Sequence, residues 1–191
     1  SITPHDLFGT VEAISSKSYA HRALICASLA NGTTNITCPY ISEDIQVTVD
    51  CLKALGTTIA RTKQGFRVVP AKEQNRPQSV QLNCKESGTT LRFILPLLGA
   101  LNINATISAE GRLFSRPLDP FISELSAHGM SFTWLDEKFL EVSGQLTSGS
   151  FELPGDISSQ FISGLLLSLP LLSNSSTIQI TEPIQSKDYL A

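Results

Sequence analysis

The chain has 191 residues, of which 41% are hydrophobic and 16% charged, a composition typical of one globular domain with a well-buried core. Its formal net charge of −3 lacks the basic excess of nucleic-acid-binding proteins and gives no reason to expect a membrane surface as partner. An anionic ligand must therefore be bound by a local cluster of cations.

The cysteines and the apolar segments predict a cytoplasmic protein. Residues 1–10 have neither the basic nor the apolar region of a signal peptide. The longest apolar run, residues 161–172, is shorter than a membrane span, which takes about 20 residues. The cysteines form no CxxC pair and have no histidine cluster beside them, so we expect reduced thiols, no metal and no organic cofactor. They are Cys26, Cys38, Cys51 and Cys84.

The first predicted unit begins at the polar cluster Ser16-Lys17-Ser18 and continues as a mostly apolar helix over residues 23–30. After a short strand, Ser42 is expected to cap an amphipathic helix that Gly56 ends. A hairpin over residues 58–69 completes the unit.

The same order returns at a constant spacing. Polar clusters at Ser87-Gly88-Thr89 and Ser158-Ser159-Gln160 each follow the previous cluster at the same interval along the chain. Apolar helices are predicted after them, over residues 91–101 and 161–172. The strand residues Ile36, Ile107 and Ile178 keep this same interval. The coincidence of both landmarks predicts a threefold repeat.

The second unit also contains an amphipathic helix and a hairpin. Ser115 is the expected cap of this helix, Pro117 lies near its first position, and Gly129 ends it. The hairpin is predicted over residues 131–142. With a strand expected before each apolar helix, the repeating unit is βαβαββ.

The apolar helices carry hydrophobic residues nearly all round, so they must be buried on every side. We therefore predict an α/β domain of pseudo-threefold symmetry, with three buried parallel helices at its centre. The repeats are expected at about residues 13–80, 81–150 and 151–191, the chain ending inside the third. The N-terminal segment, residues 1–12, is expected to contribute to a second domain.

The three central helices predict a binding site. If they are parallel, their N-termini open onto one face, and each offers unpaired N–H groups with roughly half an elementary positive charge. Together they form a strong site for a phosphate or a carboxylate. Arginine suits planar anions, so nearby cations would complete the site for a small, doubly anionic substrate. These cations are Lys17, Arg22, Arg92 and Arg116.

Each feature also has a purely structural interpretation. Ser, Thr and Gly before an apolar helix are more often caps than ligands, and Arg116-Pro117 is a common helix entry. A lone histidine such as His21 is more often a hydrogen-bonded structural residue than a base. The functional interpretation is favoured because the polar cluster stands at the same position in every repeat, with cations beside it.

Five segments resemble, in order, the motifs of the 5-enolpyruvylshikimate-3-phosphate (EPSP) synthases, a branch of the enolpyruvyl transferases, over about residues 11–191. The UDP-N-acetylglucosamine enolpyruvyl transferases share the fold but carry Lys-Asn where this chain has Lys17-Ser18, so they are the second choice. The five segments are Ser16-Lys17-Ser18-Tyr19-Ala20-His21-Arg22-Ala23, Ser87-Gly88-Thr89-Thr90-Leu91-Arg92-Phe93, Arg116-Pro117-Leu118, Gly155-Asp156-Ile157-Ser158-Ser159-Gln160-Phe161 and Ser186-Lys187-Asp188-Tyr189.

The resemblance implies transfer of the enolpyruvyl group of phosphoenolpyruvate to the 5-hydroxyl of shikimate 3-phosphate, with release of phosphate, in aromatic amino acid biosynthesis. It also implies two domains of three βαβαββ units each, an inside-out barrel with the substrates between the domains, and Lys17 as a catalytic residue. By the resemblance, shikimate 3-phosphate would be held by Lys17, Ser18, Arg22, Ser158, Ser159, Gln160, Ser186 and Tyr189. Phosphoenolpyruvate would contact Lys17, Gly88, Arg92, Arg116 and Gln160.

Two departures from the family pattern bear on activity. Ile14-Ser15 replaces Pro-Gly before the first motif, and Glu86 stands where Asn is usual. A carboxylate beside an anion site is repulsive unless it pairs with a cation or turns away. The resemblance also implies that the acid and base residues lie in the second domain, so we expect this chain alone to bind shikimate 3-phosphate weakly and to turn over negligibly.

Two further interpretations remain open. One is a non-catalytic anion-binding module, for which Glu86 is the best support. The other is a repeat scaffold whose polar helix ends are only caps. Charge reversal of Arg22 separates them, because it abolishes ligand binding in an enzyme lobe or a binding module and leaves a scaffold indifferent.

Overall fold

The computed structural model describes residue 6 and residues 8–156 and 158–181. Helices and strands alternate along this part of the chain in the order that the repeat predicts. In chain order they are α1 (Lys17–Leu29), β1 (Thr34–Thr37), α2 (Glu43–Ala54), β2 (Thr58–Thr62), β3 (Gly65–Val69), β4 (Ser79–Asn83), α3 (Gly88–Leu101), β5 (Asn104–Ser108), α4 (Asp119–Ala127), β6 (Ser131–Trp134), β7 (Phe139–Ser143), β8 (Ser150–Pro154), α5 (Ser159–Ser168) and β9 (Thr177–Thr181), with short 3₁₀ helices at Glu73–Asn75 and Leu169–Leu171.

The second unit shows the βαβαββ order in full. Its strands form a four-stranded sheet in the order β4-β5-β7-β6, in which β4 and β5 are parallel and the other neighbours antiparallel. The sheet β1-β3-β2 repeats the antiparallel part of this arrangement. The parallel pair β8-β9 corresponds to the parallel pair β4-β5 of the second unit. The three sheets are therefore versions of one unit.

A serine caps each of the three helices at the repeated position. The side chain of Ser16 accepts a hydrogen bond from the backbone N–H of Tyr19, and Ser87 accepts one from Thr90. Ser158 caps α5 in the same way. Each hydroxyl satisfies an N–H group that the first turn of a helix leaves unpaired. Because these caps are equally spaced along the chain, α1, α3 and α5 begin at equivalent places in the fold.

Helix α3 is the centre of the domain and packs most closely against α5. Residues 93–99 of α3 are all buried. Pro96 has no N–H group, so the carbonyl of Arg92 lacks its usual partner inside the helix. Gly164 of α5 lies against this carbonyl, and a Cβ atom at residue 164 would be 2.6 Å from the Arg92 oxygen. The close approach of the two helices therefore requires glycine there.

The prediction that the central helices are buried on every side is correct for α3 and wrong for α1 and α5. Tyr19, Ala23 and Cys26 lie on an exposed face of α1, and Leu166 of α5 is 47% exposed. Within the described residues α1 packs mainly against α2 and β3, and only to a small extent against α5 and β1. Apolar composition alone does not show which helix has neighbours on all sides.

Three local predictions are also wrong. Ser115 does not cap α4, because its hydroxyl donates to the carbonyl of Arg112 and the helix begins only at Asp119. The third apolar helix ends at Ser168, since Pro170 falls in the 3₁₀ turn that follows. The strand expected before α1 is not found among residues 8–16, whereas β4 and β8 precede α3 and α5.

The helix contact at Gly164 gives a first testable prediction. Gly164→Ala should lower the free energy of unfolding by about 1–3 kcal/mol, because overpacking against the Arg92 carbonyl outweighs the gain of about 1 kcal/mol in helix propensity. Urea unfolding followed by circular dichroism measures this change. Gly32→Ala is the matched control, since a Cβ atom there meets nothing within 4 Å. Equal stabilities of the two variants would contradict the close packing of α3 and α5.

Candidate functional site

The N-terminal ends of the three capped helices meet. Ser18, Thr89 and Gln160 occupy the same position in the three repeats, and the side-chain amide of Gln160 donates to the hydroxyl of Thr89 at 2.8 Å. The guanidinium of Arg22 in α1 donates to the hydroxyl of Ser163 in α5 at 2.7 Å. These bonds join α5 to both of the other helices, so three positive helix ends lie together, as the repeat predicts.

A cavity of about 370 Å³ lies at this meeting point. Residues from the first turns of α1, α3 and α5 contribute to its wall, together with Arg116 from the loop before α4. Two carboxylates also reach it. The lining residues are Lys17, Asp44, Glu86, Gly88, Thr89, Arg92, Arg116 and Gln160.

Two guanidinium groups converge over Gly88. A Cβ atom at residue 88 would be 2.8 Å from an Nη atom of Arg92 and 3.1 Å from one of Arg116, so any larger residue would displace the two guanidinium groups. No carboxylate of the described residues forms an ion pair with either arginine. Arg92 instead donates to the side-chain carbonyl of Gln160 at 2.9 Å. Two facing cations without an acidic partner are a site for an anion.

Burial increases the need for a counter-ion at Arg92. Partial burial, and then the positive charge of Arg116, lower the pKa of Arg92 from its usual value. Its Nε atom is buried and has no hydrogen-bond partner in the described part of the chain. A buried donor without a partner is costly, typically by about 1–3 kcal/mol. A bound phosphate or carboxylate oxygen would relieve both the charge repulsion and part of this cost.

The carboxylates of the cavity occupy different positions. Asp44 of α2 forms an ion pair of 2.5 Å with Lys17, whose side chain is about half exposed. Exposed ion pairs contribute little, typically below about 1 kcal/mol, so a ligand can compete for Lys17. Glu86 lies beside Gly111 and forms no ion pair within the described residues. Its charge therefore stays in the cavity wall and opposes the binding of anions.

The remaining predicted residues lie beside the cavity, along the line between α1 and α5. Arg22 donates to the backbone carbonyl of Ser18 at 3.0 Å and lies over the ring of Phe93. Ser158 and Ser159 are half-buried at the start of α5. The structure thus brings two groups of predicted residues together, one around the cavity and one next to it. Ser186 and Tyr189 lie outside the described residues.

Sequence reasoning missed Asp44, because nothing in the spacing indicates that α2 reaches the cavity. It treated His21 as a structural residue, and the structure places this side chain in the core with 0% exposure. Its Nδ1 atom is 2.6 Å from the hydroxyl of Thr48. A larger cavity, of about 770 Å³, lies elsewhere between the hairpin β6-β7 and residues 109–115. It has three carboxylates and one lysine in its wall, so it does not resemble an anion site.

Comparison with known proteins identifies relatives over nearly the whole chain. The family model described as EPSP synthase (3-phosphoshikimate 1-carboxyvinyltransferase) matches residues 2–190. The 3-phosphoshikimate 1-carboxyvinyltransferase of Clostridium kluyveri is 40% identical over 191 residues, which cover 100% of this chain and 45% of that protein. That of Clostridium botulinum strain Alaska E43 is 37% identical over 194 residues, covering 99% and 45%. The chain thus spans a little under half the length of these relatives.

Solved structures show the same fold. EPSP synthase from Acinetobacter baumannii matches with a TM-score of 0.77 at 24% identity, covering 93% of this chain and 41% of that one. The enolpyruvyl transferase NikO from Streptomyces tendae matches with a TM-score of 0.52 at 21% identity, covering 84% and 38%. The predicted enolpyruvyl transferase fold is therefore confirmed. Within the described residues, no helix is long and apolar enough to cross a membrane.

The glycine under the two arginines gives a second prediction. Gly88→Ala should reduce the affinity for inorganic phosphate about tenfold, equivalent to about 1.4 kcal/mol, because the new methyl group displaces both guanidinium groups. Stability should hardly change, since the atoms displaced are flexible side-chain ends. Isothermal titration calorimetry measures the affinity, with Gly32→Ala as control. An unchanged affinity would show that the anion is bound elsewhere.

His21 gives a third prediction. Its pKa is lowered from 6.5 to about 4, chiefly by burial, with Asp44 opposing the shift and Lys17 and Arg22 adding to it. Between these two pH values the unfolded chain binds a proton that the folded chain does not, so stability present above pH 6.5 is lost as the pH falls towards 4. At about 1.4 kcal/mol per pKa unit, the loss is on the order of 3 kcal/mol.

The measurement is the free energy of unfolding of the chain and of His21→Asn between pH 4 and pH 7. Carboxylates and the other histidines contribute equally to both proteins, so the difference between the two curves isolates His21. The variant should lose less stability than the parent on acidification. Parallel curves would show that His21 is accessible to protons in the folded state.

Proposed function

The chain belongs to the EPSP synthase family, and we propose that it forms the lobe of such an enzyme that binds shikimate 3-phosphate. In the complete enzyme, this lobe takes part in transferring the enolpyruvyl group of phosphoenolpyruvate to the 5-hydroxyl of shikimate 3-phosphate, with release of phosphate. The observation that carries the proposal is that two arginines without a carboxylate partner among the described residues lie over Gly88, where three helix N-termini meet.

In this proposal the cavity binds phosphoenolpyruvate. Its wall contains every residue that the family resemblance assigns to this substrate, and its 370 Å³ suit a molecule of that size. Arg92 and Arg116 face the anionic groups, and the N–H groups at the start of α3 add their partial positive charge. Gly88 lets the ligand approach the backbone. The five residues concerned are Lys17, Gly88, Arg92, Arg116 and Gln160.

Shikimate 3-phosphate is assigned to the neighbouring strip between α1 and α5. Arg22, which already donates to Ser18 and Ser163, presents its guanidinium between the two helix ends. Gln160 lies at the border of the strip and the cavity and can contact both ligands. This strip comprises Ser18, Arg22, Ser158, Ser159 and Gln160, to which the resemblance adds Ser186 and Tyr189.

Lys17 is the proposed catalytic residue of this lobe. Its ammonium group lies at the rim of the cavity, next to the strip, and among the described residues it pairs with the partly exposed carboxylate of Asp44. Transfer of the enolpyruvyl group requires phosphate to leave with negative charge. Cations placed in advance stabilise that charge without reorganising, which is the largest contribution in many enzymes. Lys17, Arg92 and Arg116 supply them.

The second part of the enzyme is the proposed partner of this lobe. Proton transfer by a positioned acid or base typically contributes 10²–10⁴-fold, and closure of two domains excludes water. In the described cavity Asp44 is paired with Lys17, and Glu86 is the other carboxylate. We therefore propose that the present chain binds its substrate but turns over negligibly. Appreciable steady-state product formation by the purified chain would overturn this.

A cytoplasmic location completes the proposal. All four cysteines are free thiols in the structure, and three of them are buried. Such thiols are stable in a reducing compartment.

A non-catalytic anion-binding module is the second candidate, and Glu86 is the observation that favours it. The module and the enzyme lobe differ in the response to Glu86→Gln. If Glu86 only weakens an otherwise functional cavity, the variant should bind phosphoenolpyruvate several-fold more tightly in the presence of shikimate 3-phosphate. If the cavity serves another anion, neither the parent nor the variant should bind phosphoenolpyruvate.

The fourth prediction is a calorimetric titration of shikimate 3-phosphate into the chain and into two arginine variants. Arg22→Ala should reduce the affinity at least tenfold, because it removes a charge-assisted hydrogen bond worth about 1.5–3 kcal/mol. Arg67→Ala is the matched control, since Arg67 is exposed on β3 and does not line the cavity. Equal affinities for all three proteins, or no binding by a folded sample, would contradict the assignment of this substrate.

A further inference from the structure

A chain of four buried side chains crosses three helices beside the cavity. Nδ1 of His21 in α1 is 2.6 Å from the hydroxyl of Thr48 in α2. That hydroxyl is 2.7 Å from the hydroxyl of Thr90 in α3, which is 2.8 Å from the hydroxyl of Ser87. All four residues are at most 1% exposed. Nothing in the proposed function uses this chain of hydrogen bonds.

Both ends of this hydrogen-bond chain lie next to residues of the candidate site. His21 is one helical turn after Lys17, and Ser87 caps α3 directly before Gly88. Helix α2 contacts α1 at two places in this region. Asp44 pairs with Lys17 and, one turn later, Thr48 pairs with His21, so the two contacts are successive rungs between α1 and α2. Of these two contacts, the buried one between Thr48 and His21 continues to α3 through Thr90.

The hydrogens of such a chain must point in one direction, because each hydroxyl has a single hydrogen to donate. His21 stays neutral in this environment because burial lowers its pKa, with Lys17 and Arg22 of α1 acting in the same sense and Asp44 of α2 against it. Its Nε2 atom has no hydrogen-bond partner among the described residues. The contact of Nδ1 with Thr48 is therefore the polar contact that holds this ring.

We infer that His21 is a positioning residue, which acts through Thr48 and Thr90 to fix the Ser87–Gly88 end of α3 relative to Lys17 of α1. The identity of the ligand rests on the proposed function, whereas the connection between the helices does not. Catalytic and binding groups lose effectiveness when they are displaced by as little as about 1 Å. Hydrogen bonds between buried groups restrict the positions of those groups, and breaking one leaves a buried hydroxyl unpaired.

The first test removes one hydroxyl without changing the shape of the side chain. Thr48→Val interrupts the hydrogen-bond chain and Thr48→Ser keeps it. Thr57→Val is a control at another buried threonine. Amide hydrogen exchange is measured at Thr90, whose N–H bonds to the cap hydroxyl of Ser87, and at Leu95 in the middle of α3. Inorganic phosphate is the binding probe, followed by NMR at the Gly88 amide.

Thr48→Val should exchange the Thr90 amide about tenfold faster while Leu95 stays protected, since the cap loosens without global unfolding. Its affinity for phosphate should fall about fivefold, and Thr48→Ser should restore most of both effects. Equal acceleration at Thr90 and Leu95, with phosphate affinity unchanged, would overturn the inference and leave Thr48 a merely structural residue.

A second pair of variants keeps the test valid if Thr48→Val fails to fold. The amide of asparagine occupies the place of Nδ1 of histidine, whereas that of glutamine occupies the place of Nε2. His21→Asn should therefore keep slow exchange at Thr90, and His21→Gln should lose it about tenfold. Identical exchange in the two variants would refute the role of the Nδ1 contact. Exchange is measured without ligand, so it decides the inference even if neither phosphate nor shikimate 3-phosphate binds.

Discussion

The structure depends on one electrostatic constraint, the meeting of three helix N-termini. Each carries roughly half a positive charge, and Arg92 and Arg116 add two more unit charges at the same place. Such an arrangement is repulsive unless an anion neutralises it or other contacts hold it. Hydrogen bonds from Gln160 to Thr89 and from Arg22 to Ser163 hold it from one side. We propose that the positive charge left uncompensated attracts an anionic ligand.

Contacts in the core of the domain hold the three helices in this arrangement. Helix α3 is packed closely against α5 where Gly164 meets the Arg92 carbonyl that Pro96 leaves unpaired. The buried chain that begins at His21 connects α1 to the cap of α3. The first contact lies within the two helices, and the second reaches the N-terminal end of α3. Packing in the core therefore helps to set the relative positions of α1, α3 and α5.

Much of this fold could be predicted because its signals are local and repeat. Cap serines and apolar helices recur at equal intervals along the chain, and α1, α3 and α5 begin at that spacing. The predicted cap of α4 was wrong because the hydroxyl of Ser115 bonds to the carbonyl of Arg112 in a turn before the helix begins. Contacts across α1 and α2, such as Lys17 with Asp44, depend on tertiary packing and leave no pattern in the sequence. The roles of individual site residues rest on chemistry that only ligands can test.

The central claim is that the three helix ends form one site, and an NMR titration with inorganic phosphate tests it most directly. The backbone amides of Ser18, Thr89 and Gln160 report on the starts of α1, α3 and α5. If the ligand occupies a site formed by all three ends, their signals should shift together with a single dissociation constant. Shifts confined to one helix, or different constants for the three amides, would contradict the account.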